Sequence, residues 1–288
     1  MTPTALVFGA SGQIGAALRV RLRAAGWNVL ALSRAPRVDV PGERWLQGEF
    51  ARMPALPTRC DAVFSCGPLD RFAAWYADST VHAPRIVAFG STSVHVKQGS
   101  ADAGERDVAR RLREAEAAVF ATASTRGEAA VVLRPTLVYG AGRDATLTRI
   151  AALARRAGRF ALPRGAAGLR QPVHVDDLAV AALVAAESGQ AAGRAYDLPG
   201  GESVRYREMV ARVLASLTPP PPLHVLPDAV FRVALSALRA AGLARDLNDA
   251  AVARMRDDLV FDVAPAARDL GYAPRPFRPL PGTFDAPP

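Results

Sequence analysis

The sequence predicts an α/β protein, a doubly wound parallel sheet with a smaller C-terminal lobe. Three observations carry this. The apolar run Thr4-Ala5-Leu6-Val7-Phe8 suits a buried parallel strand and leads directly into Gly9-Ala10-Ser11-Gly12-Gln13-Ile14-Gly15. Beyond the glycines, Ile14, Ala17, Leu18, Leu22 and Ala25 recur at helical spacing up to Gly26. Further short apolar runs then alternate with helical patterns as far as Leu198, as strands joined by helical crossovers do.

The first turn is the most informative element. Glycine accepts positive φ and has no Cβ to hold a ligand off the backbone. The helix that follows presents free N–H groups and a partial positive charge, which suit a pyrophosphate. Gly9, Ser11, Gly12, Gln13, Ile14 and Gly15 are therefore expected to hold a dinucleotide.

The second strand, Asn28-Val29-Leu30-Ala31-Leu32, ends at Ser33-Arg34, about twenty residues past the glycines. An acid at that point would accept hydrogen bonds from the adenine ribose and repel a 2′-phosphate. Ser33 and Arg34 stand there instead, with Arg37 nearby and no acid before Asp39. Hydroxyl plus guanidinium suits a 2′-phosphate, so NADP is the expected cofactor and NAD the alternative.

Arg44-Trp45-Leu46-Gln47 reads as a third strand running into Gly48-Glu49-Phe50, where Glu49 and Phe50 would edge the adenine pocket. A fourth strand over Asp61–Cys66 is broken by Gly67-Pro68, also expected beside the cofactor. A helix over Leu69–Ser79 precedes a fifth strand, Arg85-Ile86-Val87-Ala88-Phe89, which opens into the hydroxyls Ser91, Thr92 and Ser93. Hydroxyls at the carboxyl end of a parallel strand lie where such sheets bind ligands, although turns and caps use the same residues.

Arg106–Phe120 is expected to be helical, with Val108, Leu112, Ala115 and Val119 as its buried stripe. A sixth strand, Ala129–Leu133, leads into Arg134-Pro135-Thr136-Leu137-Val138-Tyr139-Gly140. Helices are expected over Thr146–Ala157, from Asp176 to Glu187 and from Ser203 to Leu217, with extended segments at Val173–Val175 and Tyr196–Leu198. Pro219–Pro222 marks a loop or lobe boundary. After it an amphipathic helix, Asp228–Ala241, carries Val230, Phe231, Leu235 and Leu238 on one face. In domain terms, residues 1–142 form the dinucleotide-binding unit, to which 173–200 return, and 143–172 with 201–288 form the substrate lobe.

With 288 residues the chain can bury a substantial core. No run is long and apolar enough for a membrane span, and the first strand begins too early for a signal peptide, so a cytoplasmic protein is expected. Cys60 and Cys66 lack a metal-ligand constellation, and no metal is expected. The net charge of +9 invites nucleic acid, yet Lys97 is the lone lysine and the arginines are scattered, with no basic stripe interleaved with aromatics. A phosphate-bearing small molecule needs few of these arginines, so the partners expected are small molecules rather than nucleic acid or membrane. A homodimer is compatible with the sequence.

Taken together, the chain resembles the extended short-chain dehydrogenases/reductases, the NAD-dependent epimerase/dehydratase group that acts largely on nucleotide sugars. The likeness rests on the glycine motif Gly9–Gly15, the segment Ser91-Thr92-Ser93-Val94, Arg134–Gly140, Val173-His174-Val175-Asp176-Asp177 and the ending Leu270-Gly271-Tyr272. It implies a Rossmann sheet holding the cofactor, with Pro135, Thr136 and Leu137 beside it and a C-terminal lobe over the substrate. It also implies that Ser91 touches both cofactor and substrate, hydrogen-bonding the reacting oxygen with Thr92 assisting. In that group a tyrosine moves the proton, and a lysine four residues later lowers its pKa.

This chain departs from the group at that pair: Ser93 stands four residues before Lys97. On the matching helix Arg106 or Asp107 replaces the tyrosine, and Arg110 or Arg111 the lysine. Arginine holds phosphates but does not shuttle protons at ordinary pH. The resemblance is therefore to an atypical member, and Tyr139, His174 or a water are left as acids. Arg143, Arg170 and His174 are the expected substrate contacts. Two functions follow: an NAD(P)-dependent oxidoreductase or epimerase-like enzyme with a modified site, or a non-catalytic dinucleotide sensor or assembly subunit.

Overall fold

The computed structural model describes residues 2–240 and 249–285, with the backbone alone for Leu238. The first half alternates strand and helix: β1 (Thr4–Phe8), α1 (Gln13–Ala24), β2 (Asn28–Ser33), β3 (Glu43–Gln47), β4 (Ala62–Ser65), α2 (Leu69–Asp78) and β5 (Arg85–Phe89). Next come α3 (Ser93–Val96), α4 (Ala103–Arg126), β6 (Ala129–Pro135), β7 (Val138–Tyr139), α5 (Leu147–Ala157), β8 (Phe160–Pro163) and β9 (Leu169–Arg170). The remainder is β10 (Val173–His174), α6 (Val175–Glu187), β11 (Arg194–Leu198), β12 (Val204–Arg205), α7 (Tyr206–Ala215) and β13 (Leu223–Leu226). Helices α8 (Asp228–Ala240), α9 (Asp249–Arg254) and α10 (Ala264–Leu270) complete it.

Seven strands form one parallel sheet in the order β11-β6-β5-β4-β1-β2-β3. Because successive side chains of a strand face opposite ways, β1 sends Ala5 and Val7 to one layer and Leu6 and Phe8 to the other. Both layers are covered, which is why the strand reads as an unbroken apolar run. Helices α1 and α6 close the first face through Ile14, Leu18, Leu22, Leu178 and Ala182. On the second face lie α2 and α4, through Leu69, Phe72, Tyr76, Ala115 and Val119. A third core, separate from the sheet, joins Leu147 and Ile150 of α5, Met209 and Val213 of α7, and Phe277 and Phe284 of the closing segment.

Helix α4 differs from its expected pattern. It starts earlier, because Asp102 caps it by accepting from the Glu105 amide at 2.9 Å. Its buried face carries Ala109, Ala115, Val119 and Ala123 together with the carboxylates of Glu105 and Glu116, while Val108 and Leu112 are half-buried. Glu116 is drawn inward by an ion pair with Arg134 at the end of β6, a partner eighteen residues away in sequence that periodicity cannot register. On α8, Phe231 and Leu235 are buried, whereas Val230 is 51% exposed. The Leu238 side chain and Ala241, both assigned to that helix from the sequence, lie outside the described residues.

The smaller lobe contains the parallel pair β8–β13, which the proline run next to it had obscured. No described helix is long and apolar enough to cross a membrane. Among the described residues no three His, Cys, Asp or Glu side chains are grouped to hold a metal ion.

Candidate functional site

The carboxyl ends of β1, β4, β5 and β6 deliver Gly9, Cys66, Gly90 and Thr136 to one edge of the sheet, with the order reversing between β1 and β4. A crevice opens where strand order reverses, and such sheets place ligands there. Two cavities occupy this edge.

The first, of about 300 Å³, is lined by Gly9, Ser11, Gly12, Ser33, Arg34, Glu49, Phe50, Cys66, Gly67, Pro68 and Arg71, with Phe8 and Leu32 beneath. Gly9 sits at φ +65°, and a Cβ there would lie 2.7–2.8 Å from the backbone of Cys66 and Gly67. Glycine is thus what lets β1 pass close to β4. Gly15 is needed by packing too, since its Cβ would lie 2.8 Å from Ala10 Cα. Gly12 is different: it caps α1 without a side-chain hydrogen bond, and its added Cβ would meet Gly9 O alone, at 3.1 Å.

The twelve-residue α1 therefore begins uncapped by any side chain and without an acid in its first turn, and the turn before it lines the cavity. The Oε1 of Gln13 is buried with no partner. An anionic, backbone-reading ligand suits the uncapped helix start, so these glycines fit the pyrophosphate of a dinucleotide, whereas the acceptor Gln13 Oε1 calls for a donor. Ile14 and Gly15 are buried in α1 and support the turn from below.

At the far end of this cavity Ser33 is buried and Arg34 exposed. Arg37 instead lies over the Trp45 ring at 5.4 Å. Phe50 stacks on Phe8 with ring centroids 5.2 Å apart, giving the pocket a flat apolar wall. Cys66 is half-buried in the cavity wall, and desolvation pushes its thiol up to about 12, which favours the protonated form.

The second cavity, of about 480 Å³, lies between the ends of β5 and β6 and the smaller lobe. Ser91, Ser93 and Lys97 line it from the β5–α3 side, and Thr136 and Leu137 from β6. Its other walls are largely apolar, including Ile150, Leu162, Phe231, Met255 and Phe261. Ser91 Oγ accepts from the Ser93 amide at 3.1 Å. Thr92 is buried and its hydroxyl donates to Pro135 O at 3.2 Å, a bond that joins β5 to β6. Pro135 is buried in the strand pairing, and the Thr136 hydroxyl donates to Gln171 O. Ser91, Thr136 and Leu137, expected beside the cofactor, thus face the second cavity, and Ser91 is the hydroxyl of this set aimed at it without a donor task elsewhere.

The structure places the expected substrate contacts apart. Arg143 reaches back to the glycine turn and donates to Ser11 O at 2.7 Å. Arg170 lines the second cavity, but its guanidinium donates to Leu169 O and Asp257 O, both at 2.7 Å, and to Arg254 O. His174 caps α6 by accepting from the Asp176 amide at 3.2 Å, and lies edge-on to Tyr139 with centroids 5.1 Å apart. Neither residue lines either cavity. Burial pushes the Tyr139 phenol up to about 12 and lowers His174.

The four positions considered for the proton-transfer pair lie on the outer side of α4. Arg110 pairs with Asp107 and Glu114, Arg111 with Asp107 and Asp70, and Arg106 donates to Ser100 O and Ala101 O. Sequence reasoning did not single out Arg71, Tyr206 or Arg254 as cavity residues. Tyr206 faces the second cavity from α7, with Arg170 over its ring at 5.1 Å, and burial raises its phenol.

No family model matches the sequence. A curated relative, the 2-alkyl-3-oxoalkanoate reductase of Stenotrophomonas maltophilia (strain K279a), is 26% identical over 315 aligned positions, covering 94% of each chain. Among solved structures, the epimerase Mth375 of Methanothermobacter thermautotrophicus superposes with a TM-score of 0.70 at 16% identity, covering 98% of this chain and 90% of that one. MoeE5, solved with UDP-glucuronic acid and NAD, gives 0.68 at 20% identity, covering 95% and 94%. The chain has the extended short-chain dehydrogenase/reductase fold. The glycine turn and Ser91 lie in separate cavities along the same sheet edge.

Proposed function

We propose that the protein is an NAD(P)-dependent oxidoreductase that interconverts a carbonyl and an alcohol on a small molecule with a substantial apolar part. One observation carries this reading: a single sheet edge holds both a cavity at an uncapped glycine turn and, two strands away, an apolar cavity with the Ser91 hydroxyl in its wall. Gly9, Ser11 and Gly12 would hold the pyrophosphate, and Ser33, Arg34 and Arg71 the adenosine end, with NADP preferred over NAD. When bound, the nicotinamide supplies or accepts a hydride. Ser91 donates a hydrogen bond to the carbonyl oxygen, and the proton that completes the alcohol reaches it from solvent through the Ser91 and Ser93 hydroxyls. Apolar walls exclude bulk water and strengthen that hydrogen bond.

The name of the 26% identical reductase supports the carbonyl reading. A nucleotide-sugar substrate, as MoeE5 is solved with, finds less support in a cavity whose walls are mainly apolar. A non-catalytic sensor is the second reading, favoured by the surface pairing of Arg106, Asp107, Arg110 and Arg111 where a proton-transfer pair is expected.

The test follows loss of reduced nicotinamide with a panel of medium-chain ketones and 3-oxoacids against UDP-glucose. Ser91→Ala is expected to lower kcat about 10²–10³-fold with NADPH affinity unchanged. Faster turnover of UDP-glucose than of the ketones would refute the apolar substrate. NADPH binding without turnover of any compound would favour the sensor.

A further inference from the structure

We infer that Lys97 is the anion anchor of the second cavity, binding the carboxylate of a substrate whose hydrocarbon chain lies on the apolar walls. This rests on the reading of that cavity as the substrate site and adds the charge class of what it takes.

The argument is one of elimination among the cations facing the cavity. Arg170 spends its guanidinium on three backbone carbonyls and stacks on Tyr206. Arg254 is paired with Glu105, whose carboxylate also accepts from Ser100 at 2.7 Å. Arg149 has a partner of its own. Lys97 is the remaining one. It is half-buried at the end of α3, lines the cavity, and its ammonium makes no ion pair or hydrogen bond with another described residue. Glu105 is close enough to feel the Lys97 charge, but it is Ser100 and Arg254 that bond its Oε2, and the ammonium bonds neither oxygen.

A cation held half-buried beside apolar walls, with no ion pair of its own, is poised for an anion brought by the ligand. One such cation suits a single carboxylate, whereas a diphosphate calls for several donors. Ser91 and Ser93 line the same wall, with Ser93 at i−4 to Lys97, so a carboxylate at Lys97 would leave the nearer part of the ligand beside the hydroxyls. A carbonyl a few bonds from the carboxylate then lies nearest Ser91, and the chain runs toward Phe231, Met255 and Phe261.

Calorimetry on the full chain with octanoate and its neutral counterpart octanamide tests the anchor without requiring catalysis. Octanoate is expected to bind about ten- to a hundredfold more tightly than octanamide, the worth of one charge-assisted hydrogen bond. Lys97→Met should abolish that difference while leaving octanamide affinity unchanged, and Lys97→Arg should restore most of it. NADPH titration and a thermal melt confirm that both variants are folded. Equal binding of acid and amide to the unmodified protein would overturn the proposal. So would a Lys97→Met protein that keeps the preference or loses both ligands together. Failure of NADPH to bind the unmodified protein would sink the oxidoreductase reading instead, leaving the acid–amide comparison to be judged by itself.

Discussion

Gly12 and Gly15 lie three residues apart in one turn, yet replacing them with alanine should damage different properties. At Gly15 the new methyl would lie 2.8 Å from Ala10 Cα and overlap Gly9 O, both backbone atoms that cannot swing aside. Overpacking of that kind costs about 1–3 kcal/mol, and the upper end applies where backbone must move. Alanine returns about 1 kcal/mol of helix propensity, leaving a net loss of about 2 kcal/mol. With an unfolding entropy of about 2.1 cal/mol/K per residue over 288 residues, this lowers Tm by roughly 3 °C. At Gly12, φ is −73° and the methyl meets one oxygen at 3.1 Å, so Tm should stay within about 1 °C. The Gly12 methyl instead enters the space above the uncapped helix start, and NADPH affinity should fall at least about tenfold. Scanning calorimetry and NADPH titration of the two variants provide the comparison. A Gly12→Ala protein that melts below Gly15→Ala, or that binds NADPH like the parent, would refute this division of labour.

Arg34→Ala should erase most of a roughly tenfold or greater preference for NADPH over NADH in titrations, because a charge-assisted phosphate contact is lost. Glu116→Ala should cost about 1–3 kcal/mol in urea unfolding, since it removes the main partner of the Arg134 guanidinium and leaves Asp197, 3.7 Å away, as its remaining counter-charge. Asp269 is held at about 2 by the hydrogen bond from Arg268, helped by Tyr196 and Arg194. A carboxylate depressed on folding stabilises above its unfolded pKa and loses that contribution as pH falls, so stability should decline between about pH 4 and 2, less steeply in Asp269→Asn. Cys66 should resist iodoacetamide at pH 8 in the folded protein and react in denaturant, followed by mass spectrometry.

The sheet was legible because its strands are buried on both faces and separated by glycines and prolines, so each announces itself without reference to distant residues. The glycine turn was legible for the same reason: its chemistry is local. Helix α4 was read in part: Ala115 and Val119 are buried as expected, but Glu116 lies inward on the strength of Arg134, and periodicity treats every carboxylate as solvent-facing. Arg143, Arg170 and His174 show the limit for site residues. Their partners, Ser11 O, Asp257 O and the Asp176 amide, are backbone groups, and two of them are far away in sequence. A side chain that seeks a carbonyl leaves no mark in residue identity. The second cavity was hidden more deeply, since its walls come from the β5–α3 turn, α5, α7, α8 and the segment after α9, which folding alone brings together.

Phe277 and Phe284 fill the third core, and the segment that carries them is pinned by the Arg212 bond to Phe277 O and the Arg155–Asp285 pair. During synthesis this imposes an order. The large sheet has all seven strands once Leu198 has left the ribosome, and it can consolidate while the rest is still being made. The smaller lobe must wait for its last aromatic ring. At about 5–20 residues per second, Leu147, Met209 and Val213 therefore spend several seconds without the rings that seal them. That interval is when a nascent chain is most open to capture by chaperones.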